Sequence, residues 1–188
     1  MTDAELRDYS LKHLYYELWM LRETAGRLLH DNRIHRDLVI KNAMVESFCV
    51  HARAVAAFLY PEKFASRDGD VTATDYVTEL PKWRATRGEQ LPEILLDLKE
   101  RTGKEIAHLT SDRKEYDDPG KEWPTAQIVD TLLALLKVFV QHVPRERLAL
   151  FVEGYITGLQ SSMVQKQIWI YNVGTTGIIT ASGPFPSF

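Results

Sequence analysis

Apolar residues recur at three- and four-residue steps along four long segments, and this spacing constrains the fold most, because it lays an apolar stripe down one face of an α-helix. In the first segment Thr2-Asp-Ala-Glu5 reads as a capping box, in which the Thr hydroxyl and the Glu carboxylate satisfy each other's orphan backbone donors. Leu6, Tyr9, Leu14, Leu18, Leu21, Ala25 and Leu28 then keep helical spacing, Tyr15, Tyr16 and Trp19 widen the face, and Asp31-Asn32 supplies a stop. A second helix is expected from about Asp37 to Leu59, carrying Leu38, Val45, Phe48, Cys49, Ala52, Val55, Ala56 and Leu59 ahead of Pro61. Its small residues Ala52, Ala54, Ala56 and Ala57 permit close approach by a neighbour, which suits a central position. A third helix, about Ala126 to Val143, is apolar around most of its circumference. Pro144 separates it from a last helix near Arg145 to Gln167.

Between these segments the pattern breaks. From Glu62 to Gly88 the sequence predicts a long connection, with Ser66-Arg-Asp-Gly-Asp70 as a turn and one short helix over residues 72–79 stopped by Pro81. Connections of that length usually cover or form something functional. Pro92 suits the first turn of a helix burying Ile94, Leu95 and Leu98, and Gly103 either continues that helix or caps it. After Gln167 the branched and aromatic run Ile168-Trp-Ile-Tyr-Asn-Val reads as a hairpin or an extended tail that docks on its own bundle or on a second subunit. The expected fold class is therefore all-α: a four- to five-helix bundle over residues 1–167, with an extended or short β-like C-terminal tail over residues 168–188.

A chain of 188 residues with 45% hydrophobic content fits one well-buried core. A formal net charge of -3 argues against binding nucleic acid across the whole surface, which rests on neutralising many phosphates; a local site is compatible with it. The single Cys49 and an acidic N-terminal stretch point to a reducing cytoplasm. The most apolar window, Ile128 to Val143, contains Asp130, Lys137 and His142 and is shorter than the roughly 20 apolar residues a bilayer span requires. No membrane association is expected.

The chain contains neither form of Gly-rich phosphate loop, nor a paired-cysteine zinc motif, nor a Gly-x-Ser-x-Gly elbow, so no cofactor is expected. Glu105-Ile-Ala-His108 is a Glu-x-x-His pair of the di-iron bundle type, but such a site needs the motif twice. His51, His108 and His142 offer a further three-helix metal set with no spacing that ties them together. The strongest constellation is Arg101-Thr-Gly-Lys-Glu-Ile-Ala-His108, in which a fixed cation and a titratable imidazole stand seven residues apart, on one face of an unbroken α-helix. Lys104 lies between them, and Thr110 adds a hydroxyl. Polar residues also thread the second helix: Glu46, His51 and Arg53 are candidates to support a site, or members of a satisfied core network.

Arg101-x6-His108 on an all-helical scaffold resembles the HEPN superfamily, whose signature is an Arg followed by four to six residues and a His. Lys104-Glu-Ile-Ala-His-Leu-Thr110 and Glu46-Ser-Phe-Cys-Val-His-Ala-Arg53 resemble an uncharacterised bacterial branch of it, over about residues 3 to 165. The resemblance implies a homodimer whose two Arg/His pairs meet and cleave RNA without metal, the ribose 2′-hydroxyl attacking the adjacent phosphate. Arg101 would hold the phosphate, His108 would act as general acid or base, and Lys104, Thr110, Glu46, His51 and Arg53 would bind phosphate or support the pair. Other members of the superfamily are non-catalytic binding modules. On that alternative Arg101 forms an ion pair with Asp97 or Glu105, each four residues away, and a protein partner is engaged through the loop 62–88 or the tail 168–188.

Overall fold

The computed structural model describes residues 1–65, 67–107 and 122–158. Helix formation starts at the capping box: Glu5 N–H donates to Thr2 Oγ1 at 3.3 Å, and the Glu5 carboxylate accepts from Thr2 N–H at 2.7 Å. Helix α1 (Asp3–Tyr9) runs through a π-helical stretch, Ser10–Leu14, into α2 (Tyr15–His30). The buried positions Leu6, Ser10, Leu14 and Leu18 follow one another at steps of four. Repeated steps of four overshoot the 3.6-residue α-turn, and the wider i→i+5 turn absorbs the excess, keeping all four on one face. Ser10 is buried without penalty because its hydroxyl donates to Arg7 O at 2.7 Å and accepts from Ala149 N–H at 3.1 Å.

Helix α3 (Leu38–Leu59) is capped by Asp37, whose carboxylate accepts from Val39 N–H and Ile40 N–H. Its Phe48, Cys49, Ala52, Val55, Ala56 and Leu59 are buried, and the alanines let neighbours come close on several sides. Leu38 departs from the expected core face. The packed face of α3 begins at Met44 and Val45, so its first turn projects past the packed layer and Leu38 is 71% exposed.

The described residues between 67 and 88 hold more helix than the sequence suggests. They form α4 (Ala73–Tyr76) and α5 (Leu80–Arg87). Pro81 sits in the first turn of α5 instead of ending a helix, a position where its missing N–H has no helical partner to lose. Tyr76 and Trp83 from this segment are fully buried against Phe139, with ring centroids 5.8 Å apart in both pairs and edge-on geometry. Gly88, at φ +89°, turns the chain out of α5 in a backbone region open to glycine.

Helix α6 (Glu93–Arg101) follows Pro92 directly and continues as a π-helical stretch, Thr102–Ala107. Gly103 therefore does not end it. Helix α7 (Thr125–Val140) buries Ile128, Leu132, Leu136 and Phe139 at helical spacing. The last helix, α8 (Leu150–Thr157), starts later than expected, because residues 141–149 form turns that bury Leu148 and Ala149. Gly158, at φ +79°, caps it in the left-handed conformation. The expected extension to Gln167 and the tail 168–188 lie outside the described residues.

The fold is an all-α helical bundle, and no strand occurs among the described residues. Helix α3 is central, packed against α2, α6 and α7, while α7 also meets α2, α5 and α8. Among the described residues no helix is long and apolar enough to cross a membrane.

Candidate functional site

Arg101 ends α6 where the helix widens into π turns, and its side chain is turned inward, 6% exposed. Glu105 lies one turn ahead and Asp97 one turn behind, so both carboxylates reach it along the same helical run. Nε donates to Glu105 Oε1 at 2.6 Å, Nη2 to Oε2 at 3.4 Å, and Nη1 lies 3.6 Å from Asp97 Oδ2. The guanidinium stacks 4.2 Å from the centre of the Trp123 ring, and Nη1 donates to Glu122 O at 3.4 Å. Every edge and one face of this cation is thereby engaged within the protein. The alternative reading of Arg101 named Asp97 or Glu105 at the surface; both are in contact with it, but the guanidinium is buried.

The other candidates divide between two sides of α3. Cys49 faces α6: burial pushes its thiol far up, Arg101 opposes that shift, and the Glu105 and Glu46 carboxylates add to it. Glu46 itself is exposed on α3. Arg53 also faces α6, donating from Nη1 to Lys99 O at 2.9 Å, with its guanidinium 5.3 Å from the Phe64 ring centre. His51 turns the opposite way, toward α2. Its Nδ1 lies 2.7 Å from Glu17 Oε2, and its ring meets Tyr16 edge-on at 5.6 Å. The structure thus brings Arg53 to the backbone of α6, leaves Glu46 exposed on α3, and sets His51 in a separate place. Lys104 is half-buried within the π stretch. His108 and Thr110 lie outside the described residues. Through residues 102–107 the same-face relation of an α-helix does not hold, because π turns take more residues per revolution.

His142 lies against Trp83, ring centroids 5.8 Å apart, on a different part of the bundle from His51. Among the described residues no group of three or more His, Cys, Asp or Glu side chains is placed to hold a metal ion.

A second arrangement lies beside Glu17, the hydrogen-bond partner of His51. A cleft of about 470 Å³ opens beside the π stretch of the first helix, lined by Tyr9, His13, Tyr16, Glu17, Ala54 and Phe58 among others. An adjoining cleft of about 240 Å³ shares Tyr9, Ala54, Phe58 and Val71 and runs on to Phe64 and Asp70. The two adjoin between the first helix, α3 and the residues Pro61, Phe64 and Gly69 to Thr72. Sequence reasoning singled out neither Glu17 nor Trp123. The available signals were a lone carboxylate among Tyr15, Tyr16 and Trp19, and an aromatic placed directly before the start of α7.

These features define an all-α bundle with an internally neutralised arginine at the end of one helix and a cleft with aromatic residues in its lining between the first helix and α3. No protein-family model, no curated protein and no solved structure matches the chain.

Proposed function

We propose that the chain is a HEPN-like helical bundle acting as a non-catalytic interaction module, a homodimer of the cytoplasm. The observation that carries this reading is the state of Arg101. A phosphate clamp needs N–H donors aimed at the incoming anion, whereas Nε and Nη2 of Arg101 point at Glu105 and Nη1 at Glu122 O. Trp123 covers the guanidinium face. An RNA phosphate would have to displace a carboxylate of its own sign from a buried site, which Coulomb repulsion and the desolvation of Glu105 both oppose.

One observation favours a second reading, a metal-independent endoribonuclease with Arg101 and His108 meeting across a dimer. The helical run carrying Arg101 continues through Gly103 and widens to π turns over Thr102–Ala107, a geometry that recurs at functional sites. In that reaction Arg101 would stabilise charge on the phosphate while His108 moved the proton.

Incubating the purified protein with single-stranded RNA in chelator, beside a His108→Ala variant of unchanged fold, separates the two. The interaction module predicts no His108-dependent cleavage. Cleavage lost in His108→Ala overturns it in favour of the ribonuclease.

A further inference from the structure

We propose that the tip of the α2–α3 hairpin, residues 27–41, docks on the surface of an anionic lipid bilayer, with Leu38, Val39 and Ile40 entering the interface and the accompanying cations meeting the headgroups. Glu17 and His51, 2.7 Å apart, lie equally far along α2 and α3 from the turn that joins them. The helices therefore run antiparallel, and residues 27–41 form their common tip. The turn is held in shape from within: Ile34 is buried, His35 Nε2 lies 3.0 Å from Leu28 O, and the Arg33 guanidinium donates two hydrogen bonds to the Asp31 carboxylate.

The apolar surface of this tip suits a bilayer better than a folded partner. Leu38, Val39 and Ile40 are 71%, 79% and 47% exposed, and Leu29, on the last turn of α2, is exposed as well. Three consecutive helical residues are spread over about 200° of the circumference. A protein face covers one side of a helix, whereas the interfacial layer of a bilayer closes around a projecting turn. The packed face of α3 begins at Met44 and Val45, so this turn projects beyond the packed layer. Its backbone is also prepared for an apolar surrounding, because the Asp37 carboxylate already accepts from Val39 N–H and Ile40 N–H.

Charge identifies the kind of surface. Arg27, Arg33, Arg36 and Lys41 stand against Asp31 and Asp37 in this segment, a formal charge of +2 in a chain whose net charge is -3. Both acids are engaged, Asp31 with Arg33 and Asp37 with the start of α3. Arg27 and Arg36 are exposed. The nearest acids beyond the tip, Glu23 and Glu46, lie a helical turn or more farther along the bundle. Projecting apolar side chains among cations match acyl chains beneath anionic headgroups. An apolar protein face would match the side chains and leave the charge without a complement. The contact is with one leaflet and is not a crossing, for which no described helix is long and apolar enough. This inference is independent of the role of Arg101.

The test mixes the full chain with vesicles of phosphatidylcholine alone, or of equal parts phosphatidylcholine and phosphatidylserine, and reads the bound fraction by flotation at low and high salt. Binding is expected to the phosphatidylserine vesicles only, and it should weaken as salt rises. Leu38→Gln with Val39→Gln, and separately Arg36→Gln with Lys41→Gln, should each weaken it about tenfold or more with helical content unchanged. An environment-sensitive fluorophore on Val39→Cys should shift to the blue on these vesicles; the native Cys49 is fully buried and so shielded from labelling. Binding to neither vesicle, equal binding to both, an unshifted fluorophore, or unchanged binding by a folded Leu38→Gln, Val39→Gln variant would each overturn the proposal. So would a Leu38→Gln, Val39→Gln variant that changes the mass of the protein in solution and keeps its vesicle binding, which would make the tip a contact between copies of the chain. If one double variant does not fold, the other decides.

Discussion

Arg101 Nε and Glu105 Oε1 stand 2.6 Å apart with both side chains withdrawn from solvent, 6% and 14% exposed. Their proximity comes from local helix geometry. Trp123, at 4.2 Å from the guanidinium, is supplied by a distant part of the chain, and through it the end of α6 is fixed to the segment that leads into α7.

Arg101→Ala should therefore destabilise the protein by about 3 to 5 kcal/mol, because it leaves a largely buried Glu105 carboxylate without its partner. The double variant Arg101→Met with Glu105→Leu should recover most of that loss, since neither charge then remains to be solvated. Urea denaturation of the three proteins measures both effects. An Arg101→Ala variant as stable as the parent would mean that the pair is solvated and that Arg101 is open to ligands.

Arg87 plays a comparable part where α3 ends. Its guanidinium lies 4.0 Å from the Tyr60 ring centre, donates to Leu59 O, and reaches Glu62 Oε1 at 2.5 Å. Lysine lacks the planar fork these three contacts need. Arg87→Lys should cost about 2 kcal/mol and Arg87→Ala about 3 kcal/mol or more, with the loss visible in chemical denaturation.

Alkaline pH should unfold the protein through its buried phenols. Burial pushes the Tyr155 hydroxyl up to about 12 from an ordinary value of 10.0, against the opposing charge of Arg22. A group whose pKa is raised by folding contributes stability that is complete below its unfolded value and lost as pH rises through the folded one. Stability should therefore hold up to about pH 10 and decline toward pH 12. Burial also raises Tyr15, Tyr60 and Tyr76, which steepens the decline. Denaturation midpoints across this range should fall less steeply for Tyr155→Phe than for the parent chain.

Features set by neighbouring residues were legible in the sequence, and those set by distant ones were not. The Thr2–Glu5 capping box and the buried stripe of α2 follow from spacing within a few turns. The pairing of Arg101 with Glu105 was open to view for the same reason. Its burial was not, because that depends on Trp123, which no periodicity connects to α6. Pro81 was misread because a proline that opens a helix and one that ends the preceding helix leave similar local patterns. Helical spacing placed Leu38 on the core face, but spacing does not say where along a helix its neighbours stop. His51 stands out in the sequence as a polar residue in a mostly apolar helix; the identity of Glu17 as its partner required the relative placement of α2 and α3.

The bond from Ala149 N–H to Ser10 Oγ joins residues 139 positions apart, and Arg147 with Asp3 and Arg22 with Tyr155 O span 144 and 133. A ribosome adding about 5 to 20 residues per second needs roughly 7 to 30 s to cover such a distance. The first helix consequently emerges long before the segment that locks it. During that interval α2 and α3, close in sequence, can shelter each other as a helical hairpin, but Ser10 Oγ lacks the Ala149 N–H it later accepts from. Docking of the first helix thus awaits α8, and the nascent chain presents that helix's apolar stripe to chaperones until α8 is made.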